Sequence, residues 1–531
     1  MTKTTKENVA EAQPKRRGRP PKAALQSQQV VVADAPKRRG RPPKAAVVQP
    51  EEEKVKKEAK VAKTAATKKS TAEKKAPAKK AAKRVLPKDM PKIGVVSLGC
   101  DKNRVDTEFM LTLLKGAGYR FTNRPEEADA IIINTCCFIK SSRNESEDAI
   151  LEMIGYKKSG KCKKIVVTGC LPQFDMKSMQ NEFPEVDVFI GINEYQNIVK
   201  IMDDAFKLGK KIHINNSPMC VQYAKDRITT TPSYLAYLKI ADGCNNFCSF
   251  CTIPYIRGRY RSRDLESLVE EAESLAARGA KEIILVAQDT TRYGIDLYGK
   301  PMIVELLRRL SEIKNIAWIR ILYCYPEMVT DELIHEIATN PKVCDYIDVP
   351  FQHVSNNVLR RMNRHCTHEQ TEELVKKIKS QGKFIAIRTT YMVGFPGETK
   401  KDFVELYNFI KHNRLTNVGF FAYSREPGTE AYKFEDQVDE ETKNKRLVKL
   451  VKLQKKIHKK IAVRDHVGKT YDVICEGFDE GRRMYVGRSQ YQAPEIDTSV
   501  FFTSREPIMI GEIYKIKIKK VVEYDLEGEK V

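Results

Sequence analysis

No apolar run in this 531-residue chain approaches the roughly 18 residues that a membrane helix needs. The opening stretch, Met1-Thr2-Lys3-Thr4-Thr5-Lys6, lacks the apolar core of a secretory signal. Membrane insertion and export are therefore not expected, and the chain reads as cytoplasmic. Residues 1–90 contain no Phe, Tyr or Trp and are rich in Ala, Pro and Lys, so they cannot bury enough apolar surface to offset the entropy of ordering; they read as a disordered tail. Thirteen cysteines, an odd number in a chain without export signals, suit thiolate ligation in a reducing compartment better than disulfides. The 41% hydrophobic content suffices for buried cores, and the length for about three domains.

The most telling shortage is a single ligand. Cys244-x3-Cys248-x2-Cys251, inside Ala241-Asp242-Gly243-Cys244-Asn245-Asn246-Phe247-Cys248-Ser249-Phe250-Cys251, supplies three thiolates where a closed metal site takes four. A structural zinc site would need another Cys or His, and the nearest histidines, His213 and His335, have no finger-like spacing. A bacterial ferredoxin would carry a fourth cysteine just before a proline, whereas Cys251 is followed by Thr252, Ile253 and Pro254. An iron–sulfur cube held by three thiolates leaves one iron open to a second molecule. That points to chemistry at the cluster rather than electron carriage alone.

Charge is unevenly placed. Residues 1–90 hold 26 Lys and Arg against 9 Asp and Glu, a net +17 of the chain's +24. Within this tail Pro-Lys-Arg-Arg-Gly-Arg-Pro-Pro-Lys-Ala-Ala occurs twice, at 14–24 and 36–46. Each copy resembles an AT-hook, with Arg17-Gly18-Arg19 and Arg39-Gly40-Arg41 suited to lie extended in a narrow, electronegative minor groove of A·T-rich DNA. A polycation of this kind also meets any phosphate surface, ribosomal RNA included, by counterion release. Both readings stay open, and residues 51–85 add a further basic linker.

Order is expected from about residue 93. Apolar runs at 93–98, 128–134, 164–168 and 186–190 predict buried strands, with an amphipathic helix at 104–115 and helical segments between the runs, so this part reads as a doubly wound α/β unit with a parallel sheet. Cys100, Cys136 and Cys170 follow the first three runs, in Ser97-Leu98-Gly99-Cys100-Asp101-Lys102-Asn103, Asn134-Thr135-Cys136-Cys137-Phe138 and Thr168-Gly169-Cys170-Leu171-Pro172. Right-handed crossovers bring the carboxyl ends of parallel strands to one edge, so these thiols can converge and suggest a second cluster site. Cys137 competes with its neighbour Cys136 for the middle position.

A second α/β series follows. Strand-like segments at 234–240, 281–287, 318–322, 346–349, 384–391 and 418–423 alternate with helices such as 265–277 and 303–313, which predicts a partial (β/α)6 barrel. Polar and glycine-bearing groups, Gln288-Asp289-Thr290, Gln352-His353 and Gly394-Phe395-Pro396-Gly397-Glu398, follow these strands and are expected to line a pocket facing the Cys244 loop. Residues 440–462 have helical periodicity with Lys and Arg on the polar face, a packed connector with a solvated basic side or a surface for RNA contact. Short strands at 470–476, 483–488, 500–503 and 513–521 predict a small antiparallel β-barrel.

Two cysteine triads, an α/β unit ahead of a partial barrel, and a small β domain at the end together resemble the methylthiotransferases of the radical S-adenosylmethionine superfamily, whose last domain is called TRAM. The resemblance covers roughly residues 92–531 and none of the tail. Val96-Ser97-Leu98-Gly99-Cys100, Lys102-Asn103, Val105-Asp106, Asn134-Thr135-Cys136, Phe138-Ile139 and Gly487-Arg488-Ser489, with Tyr491 and Ala493-Pro494-Glu495-Ile496-Asp497, are similar to the RimO-type branch. Asp101 stands where that branch usually has proline, and Cys137 where it has a small residue. The tRNA-modifying branch typically shows Gly-Cys-Gln-Met-Asn at the first cysteine and a more basic TRAM surface.

The resemblance implies a layout of tail 1–90, methylthiotransferase domain 91–225, radical domain 230–462 and TRAM domain 464–531. It implies that Cys100, Cys136 and Cys170 hold an auxiliary [4Fe-4S] cluster and that Cys244, Cys248 and Cys251 hold the radical-generating one. One S-adenosylmethionine would give a methyl group to cluster-bound sulfur, and another a 5′-deoxyadenosyl radical that abstracts hydrogen from the β-carbon of an aspartate in small-subunit ribosomal protein twelve, within the small subunit or ribosome. Gly394, Gly397 and Glu398 resemble the adenine-side motif and Phe250 the aromatic residue before the last cysteine, while Gln288, Gln352 and Arg388 are further candidates for cofactor or substrate contact. Two other functions fit parts of the pattern: a tRNA adenosine methylthiotransferase, and a DNA-associated iron–sulfur protein supported by the twin basic elements alone.

Overall fold

A computed structural model describes residues 90–208, 211–213 and 224–531; the basic tail and its twin repeats lie outside the described residues. The described residues belong to one compact unit.

The first layer is a parallel sheet. Strands β1 (Lys92–Ser97), β2 (Arg120–Thr122), β3 (Ala130–Thr135), β4 (Lys164–Gly169), β5 (Val188–Ile190) and β6 (Lys211–His213) run in the order β2-β1-β3-β4-β5-β6. All five pairings are parallel. The order reverses between β1 and β3, the crevice where open α/β sheets bind ligands. The Ile-rich β3 is buried along its whole length, as a strand covered on both faces must be. Helix α1 (Asp101–Gly116) starts directly at Cys100, and α2 (Lys140–Ser159) packs on β3 and β4.

The second layer is the expected six-stranded parallel half-barrel. Strands β7 (Leu235–Lys239), β8 (Glu282–Val286) and β9 (Trp318–Ile321) form one parallel sheet, and β10 (Tyr346–Asp348), β11 (Ala386–Val393) and β12 (Asn417–Ala422) another. A bridge between Ile319 and Val343 joins the two halves. Helices α3 (Leu265–Ala277), α4 (Ile303–Ser311), α5 (Asp331–Thr339), α6 (His368–Lys379) and α7 (Lys400–Asn413) cover the outside. Their starts follow local rules: Asp264, Thr330, Thr367 and Thr399 each cap a helix with a side-chain oxygen, and Thr367 and Thr399 form full capping boxes. The largest apolar core lies between these helices and the strands, with Leu285, Ile319, Ile347 and Val393 at its centre.

Helix α8 (Glu440–His466) buries Leu450, Ile457 and Ile461 against the barrel and leads into a closed five-stranded barrel of β13 (Thr470–Asp479), β14 (Met484–Ser489), β15 (Val500–Thr503), β16 (Ile513–Val522) and β17 (Asp525–Lys530). Four of its five pairings are antiparallel, as expected. The fifth, β15 with β17, is parallel: β17, a strand the sequence pattern does not predict, turns back antiparallel along β16 and closes the barrel against β15. The loop after β14 enters the concave side of the half-barrel, where Tyr346 donates to Asp497 (2.7 Å) and Arg320 to the Gln490 carbonyl (2.8 Å). Glu282, the first residue of β8, holds both Arg320 and Arg488 at 2.7 Å, so one fully buried carboxylate pins the small barrel to the large one.

Candidate active site

Cys100, Cys136 and Cys170 stand where β1, β3 and β4 end, on one edge of the sheet. Gly99 has φ +81°, and a Cβ there would lie 2.6 Å from the Cys136 Cβ and 2.9 Å from its Sγ, so Cys136 is packed directly against the loop that carries Cys100. Cys137 is almost fully buried and belongs, with Cys170, to the apolar cluster of the sheet domain. Asn103 ties the edge together: its amide donates to the carbonyls of Leu98 (3.2 Å) and Thr135 (2.9 Å), and its Oδ1 lies 3.7 Å from the Cys170 sulfur. Cys100 is exposed while Cys136 and Cys170 are buried, which leaves one open side. Burial raises the Cys136 thiol and pushes Cys170 up to about 12.

The second triad sits in one loop beyond β7. Gly243 (φ +79°) has no room for a side chain, since a Cβ would lie 2.2 Å from the Arg259 carbonyl oxygen. Phe247 adopts φ +47°, a strained state for a large residue, and is held there by the Asn363 amide, which donates to its carbonyl at 2.9 Å. Asn246 donates to Asp289 (3.0 Å), Ser249 to the Arg361 carbonyl (2.8 Å), and the Cys251 N–H to the Cys248 carbonyl (2.9 Å). Arg364 lies over the Tyr325 ring (3.9 Å to its centroid) and points to the Cys248 sulfur at 3.8 Å. Burial raises Cys244 to about 11 and Cys251 further.

The two triads are physically joined. The five-residue helix Ile253–Arg257 starts two residues after Cys251 and ends on a buried arginine. Arg257 donates to Asn103 Oδ1 (2.5 Å), contacts the Cys170 sulfur (3.7 Å) and pairs with Asp106 (3.0 Å) and Asp242 (3.1 Å). Lys239, at the end of β7, pairs with the same two carboxylates at 2.5 and 2.8 Å. Asp242 in turn accepts from Gln288 (3.1 Å) and from the N–H of Gly243 (2.9 Å). Arg257 and Lys239 hold its carboxyl below the ordinary carboxylate range against the opposing effect of burial. This knot of two cations and two anions was missed by the sequence reading. The available signal was Lys239 itself, a lysine inside the apolar strand Leu-Ala-Tyr-Leu-Lys.

Other expected pocket residues divide into two groups. Gln288 and Asp289 reach the cysteine loop, and the Phe250 ring meets Phe395 edge-on at 6.4 Å between centroids. Glu398 accepts from the N–H groups of Gly394 and Phe395 and so braces its own loop; burial raises its carboxyl to about 7. A Cβ on Gly394 would strike the Lys443 stem, and one on Gly397 the Arg361 guanidinium. Gln352 (φ +69°) bonds through its backbone to Thr390 and Met392. Arg388 is paired with Asp348 (2.9 Å) and lies 3.7 Å from Asp497. His353, expected to line the pocket, is instead fully buried and accepts from the Ser355 N–H (3.0 Å): a core histidine.

The donor sets fit iron–sulfur groups. The twelve cysteines among the described residues are all free, and each triad has a buried arginine aimed at one sulfur, a positive charge suited to offset an anionic cluster. Among the described residues no three His, Cys, Asp or Glu close on a point as ligands of a single ion do. Ligands on separate corners of a cube lie farther apart than that.

Comparison with known proteins agrees with this division. Residues 92–191 match an uncharacterized protein family (UPF0004), 238–410 the radical SAM superfamily and 467–531 the TRAM domain. The chain is 47% identical over 437 residues to the ribosomal protein uS12 methylthiotransferase RimO of Clostridium botulinum, covering 82% of this chain and 97% of that one. It belongs to the RimO methylthiotransferase family. The RimO of Clostridium acetobutylicum is likewise 47% identical, over 83% of this chain and 98% of its own. A solved radical S-adenosylmethionine methyltransferase, TsrM from Kitasatospora setae with cobalamin and a [4Fe-4S] cluster bound, is similar at TM-score 0.49 and 17% identity over 65% of this chain and 77% of that one, a likeness too distant to bear on the site. Iron–sulfur and S-adenosylmethionine chemistry accompany the radical SAM part of this RimO-family chain. No described helix is long and apolar enough to cross a membrane.

Proposed function

We propose that this chain inserts a methylthio group at the β-carbon of an aspartate in ribosomal protein uS12, with one [4Fe-4S] cluster on Cys100, Cys136 and Cys170 and a second on Cys244, Cys248 and Cys251. The observation that carries the reading is the pair of three-thiol sets bridged by Arg257, in a chain 47% identical to relatives named for that activity. When bound, the clusters and S-adenosylmethionine supply the radical, the sulfur and the methyl group.

The protein's own part is position and electrostatics. Left-handed glycines at 99 and 243 aim the first cysteine of each set, and Arg257 and Arg364 place positive charge beside a sulfur in each. Phe250, Gln288, Gln352, Gly394, Gly397 and Glu398 form the wall we assign to S-adenosylmethionine. Arg388, fixed by Asp348, is a further candidate for cofactor or substrate contact. We assign Cys136 rather than Cys137 as the middle ligand, because Cys136 packs directly against the Gly99 loop that carries Cys100. The domain limits 91–225, 230–462 and 464–531, a cytoplasmic location, and nucleic-acid contact by residues 1–90 belong to the same proposal.

The test is the mass of uS12. In cells whose own enzyme of this type is deleted, expressing this chain should raise uS12 by about 46 Da, a methylthio group in place of hydrogen. An unchanged uS12 would overturn the proposal, and a methylthio group found on tRNA would replace it with the tRNA-directed reading.

A further inference from the structure

The folded part of the chain distributes its charge unexpectedly. The terminal TRAM barrel, residues 467–531, holds 10 Lys and Arg against 12 Asp and Glu. Helix α8, residues 440–466, holds 10 against 3. On the barrel the lysines are largely neutralised: Lys515 pairs with Asp472 (3.1 Å), Lys519 with Glu529 (2.8 Å) and Lys520 with Glu527 (2.8 Å). On the helix, Lys449, Lys452, Lys455, Lys456, Lys459 and Lys460 are all exposed, and none has a carboxylate within ion-pair distance among the described residues. Their spacing of three and four residues puts them along one side, a stripe about 16 Å long at 1.5 Å per residue. The opposite side buries Leu450, Gln454, Ile457 and Ile461. The stripe therefore cannot turn inward, and packing fixes its direction.

A basic recess lies nearby, on the side of the helix that carries Ile461. At the carboxyl end of α8 a space of about 350 Å³ is lined by Lys379, Lys383, His412, Arg414 and Arg464, with Asp465 its one acidic wall. Asp465 is engaged by Arg464 at 2.6 Å, and Lys383 is paired with Asp345. Burial pushes the Lys379 ammonium down, and the facing charges of Arg464 and Arg414 push it further. Like charges crowded in a recess are costly unless an anion shares them.

We propose that the lysine side of α8 is the surface through which this protein holds the phosphate backbone of folded RNA, and that the TRAM barrel is not that surface. RNA is the occupant that charge complementarity selects, because a linear row of lysines without carboxylate partners matches a continuous polyanion. That the RNA belongs to the small ribosomal subunit rests on the function proposed above; that RNA binds here does not.

The decisive measurement compares the full chain with a Lys449→Gln, Lys452→Gln, Lys456→Gln, Lys459→Gln variant, using transcribed small-subunit ribosomal RNA as the probe across a range of salt. The tail is common to both proteins. The variant should bind more weakly, and its slope of log affinity against log salt should be shallower by about 3, near one for each phosphate contact removed. The matching Lys→Arg variant should keep the wild-type slope. Turnover on intact small subunits should fall with RNA affinity while turnover on isolated uS12 is unchanged. Unchanged RNA affinity and slope in the glutamine variant would overturn the proposal. So would a loss confined to duplex DNA of matched length, or an equal fall of turnover on isolated uS12. If uS12 is not methylthiolated at all but the RNA slope still drops, the enzymatic reading fails and this surface stands.

Discussion

The two cysteine triads use the same parts in opposite ways. Each begins with a left-handed glycine, supplies three free thiols and has one buried arginine aimed at a sulfur. One triad is contained in eight consecutive residues of a single loop and is shaped by hydrogen bonds to that loop. The other is assembled from three strand ends spread over about 70 residues, so its geometry is set by the register of β1, β3 and β4. The difference shows in their arginines. Arg364 sits on Tyr325 with no carboxylate of its own among its hydrogen-bond partners, whereas Arg257 is locked to Asp106 and Asp242 and so spans the junction of the sheet and the barrel. A local site can be adjusted by its loop; a dispersed one needs the domains held in register.

The largest effects should come from the cysteines. Anaerobically purified protein is expected to carry about eight iron atoms per chain, falling to about four when all three cysteines of either triad are replaced by Ala, and methylthiolation of uS12 should vanish in both cases. The two replacements should differ in one respect. Loss of Cys244, Cys248 and Cys251 should also abolish reductive cleavage of S-adenosylmethionine to 5′-deoxyadenosine, while loss of Cys100, Cys136 and Cys170 should leave that cleavage measurable. Full iron in either variant, or zinc in place of iron, would break the comparison.

Next come the arginines. Arg257→Ala would leave Asp106 and Asp242 buried with Lys239 as their remaining cation, and removing one member of such a buried set typically costs about 3–5 kcal/mol. Arg364→Ala abandons a stacking contact and a hydrogen bond to the Pro350 carbonyl, on the order of 1–2 kcal/mol. Denaturant unfolding midpoints should therefore fall further for the first variant. Equal midpoints would mean that the junction is held elsewhere, for instance by the buried Arg227 with Glu108 and Glu271.

The glycines sharpen the same contrast at a smaller scale. A Cβ on Gly243 meets backbone, the Arg259 carbonyl, so Gly243→Ala should destabilise the fold by roughly 2–3 kcal/mol. A Cβ on Gly99 meets the side chain of Cys136. Gly99→Ala should cost roughly 1–2 kcal/mol for the left-handed backbone, yet deplete the iron of the dispersed triad alone. Iron analysis beside thermal unfolding checks both, and full iron in the Gly99 variant would argue against Cys136 as a ligand.

What could be read from the sequence follows the same line between local and dispersed. The succession of sheet domain, half-barrel and small barrel was legible because β3, β7 and β8 are largely continuous apolar runs and helical periodicity separates the strands. The Cys244 loop was legible because its ligands are neighbours in sequence. The convergence of Cys100, Cys136 and Cys170 was legible only through topology, and the choice between Cys136 and Cys137 needed the contact with Gly99. The charge knot of Asp106, Lys239, Asp242 and Arg257 was not legible, since nothing in one sequence says which of many charges meet across 150 residues. His353 misled for a related reason: a histidine after a barrel strand is pocket-lining or buried according to packing that its neighbours in sequence do not reveal.

The smallest effect lies outside both triads and calibrates them. His466 closes α8 where the two barrels meet, among the rings of Phe384, Tyr471 and Tyr491, and burial lowers its pKa to about 4; burial lowers that of His353 to about 3. Both folded values lie below the unfolded value near 6.5, so the unfolded chain takes up protons that the native protein refuses. Stability is then fully present above pH 6.5 and is lost as pH falls, by about 1.4 kcal/mol per pH unit for each histidine, until the folded pKa is reached. The His466→Phe variant removes one of the two contributions, so its unfolding midpoint should drop less than that of the wild type between pH 6.5 and 5. Because neither histidine touches a triad cysteine, iron content should stay constant over the same interval. If iron is lost in step with the midpoint, the acid sensitivity belongs to the thiolates, and the separation drawn here between the sites and the joint that holds them is wrong.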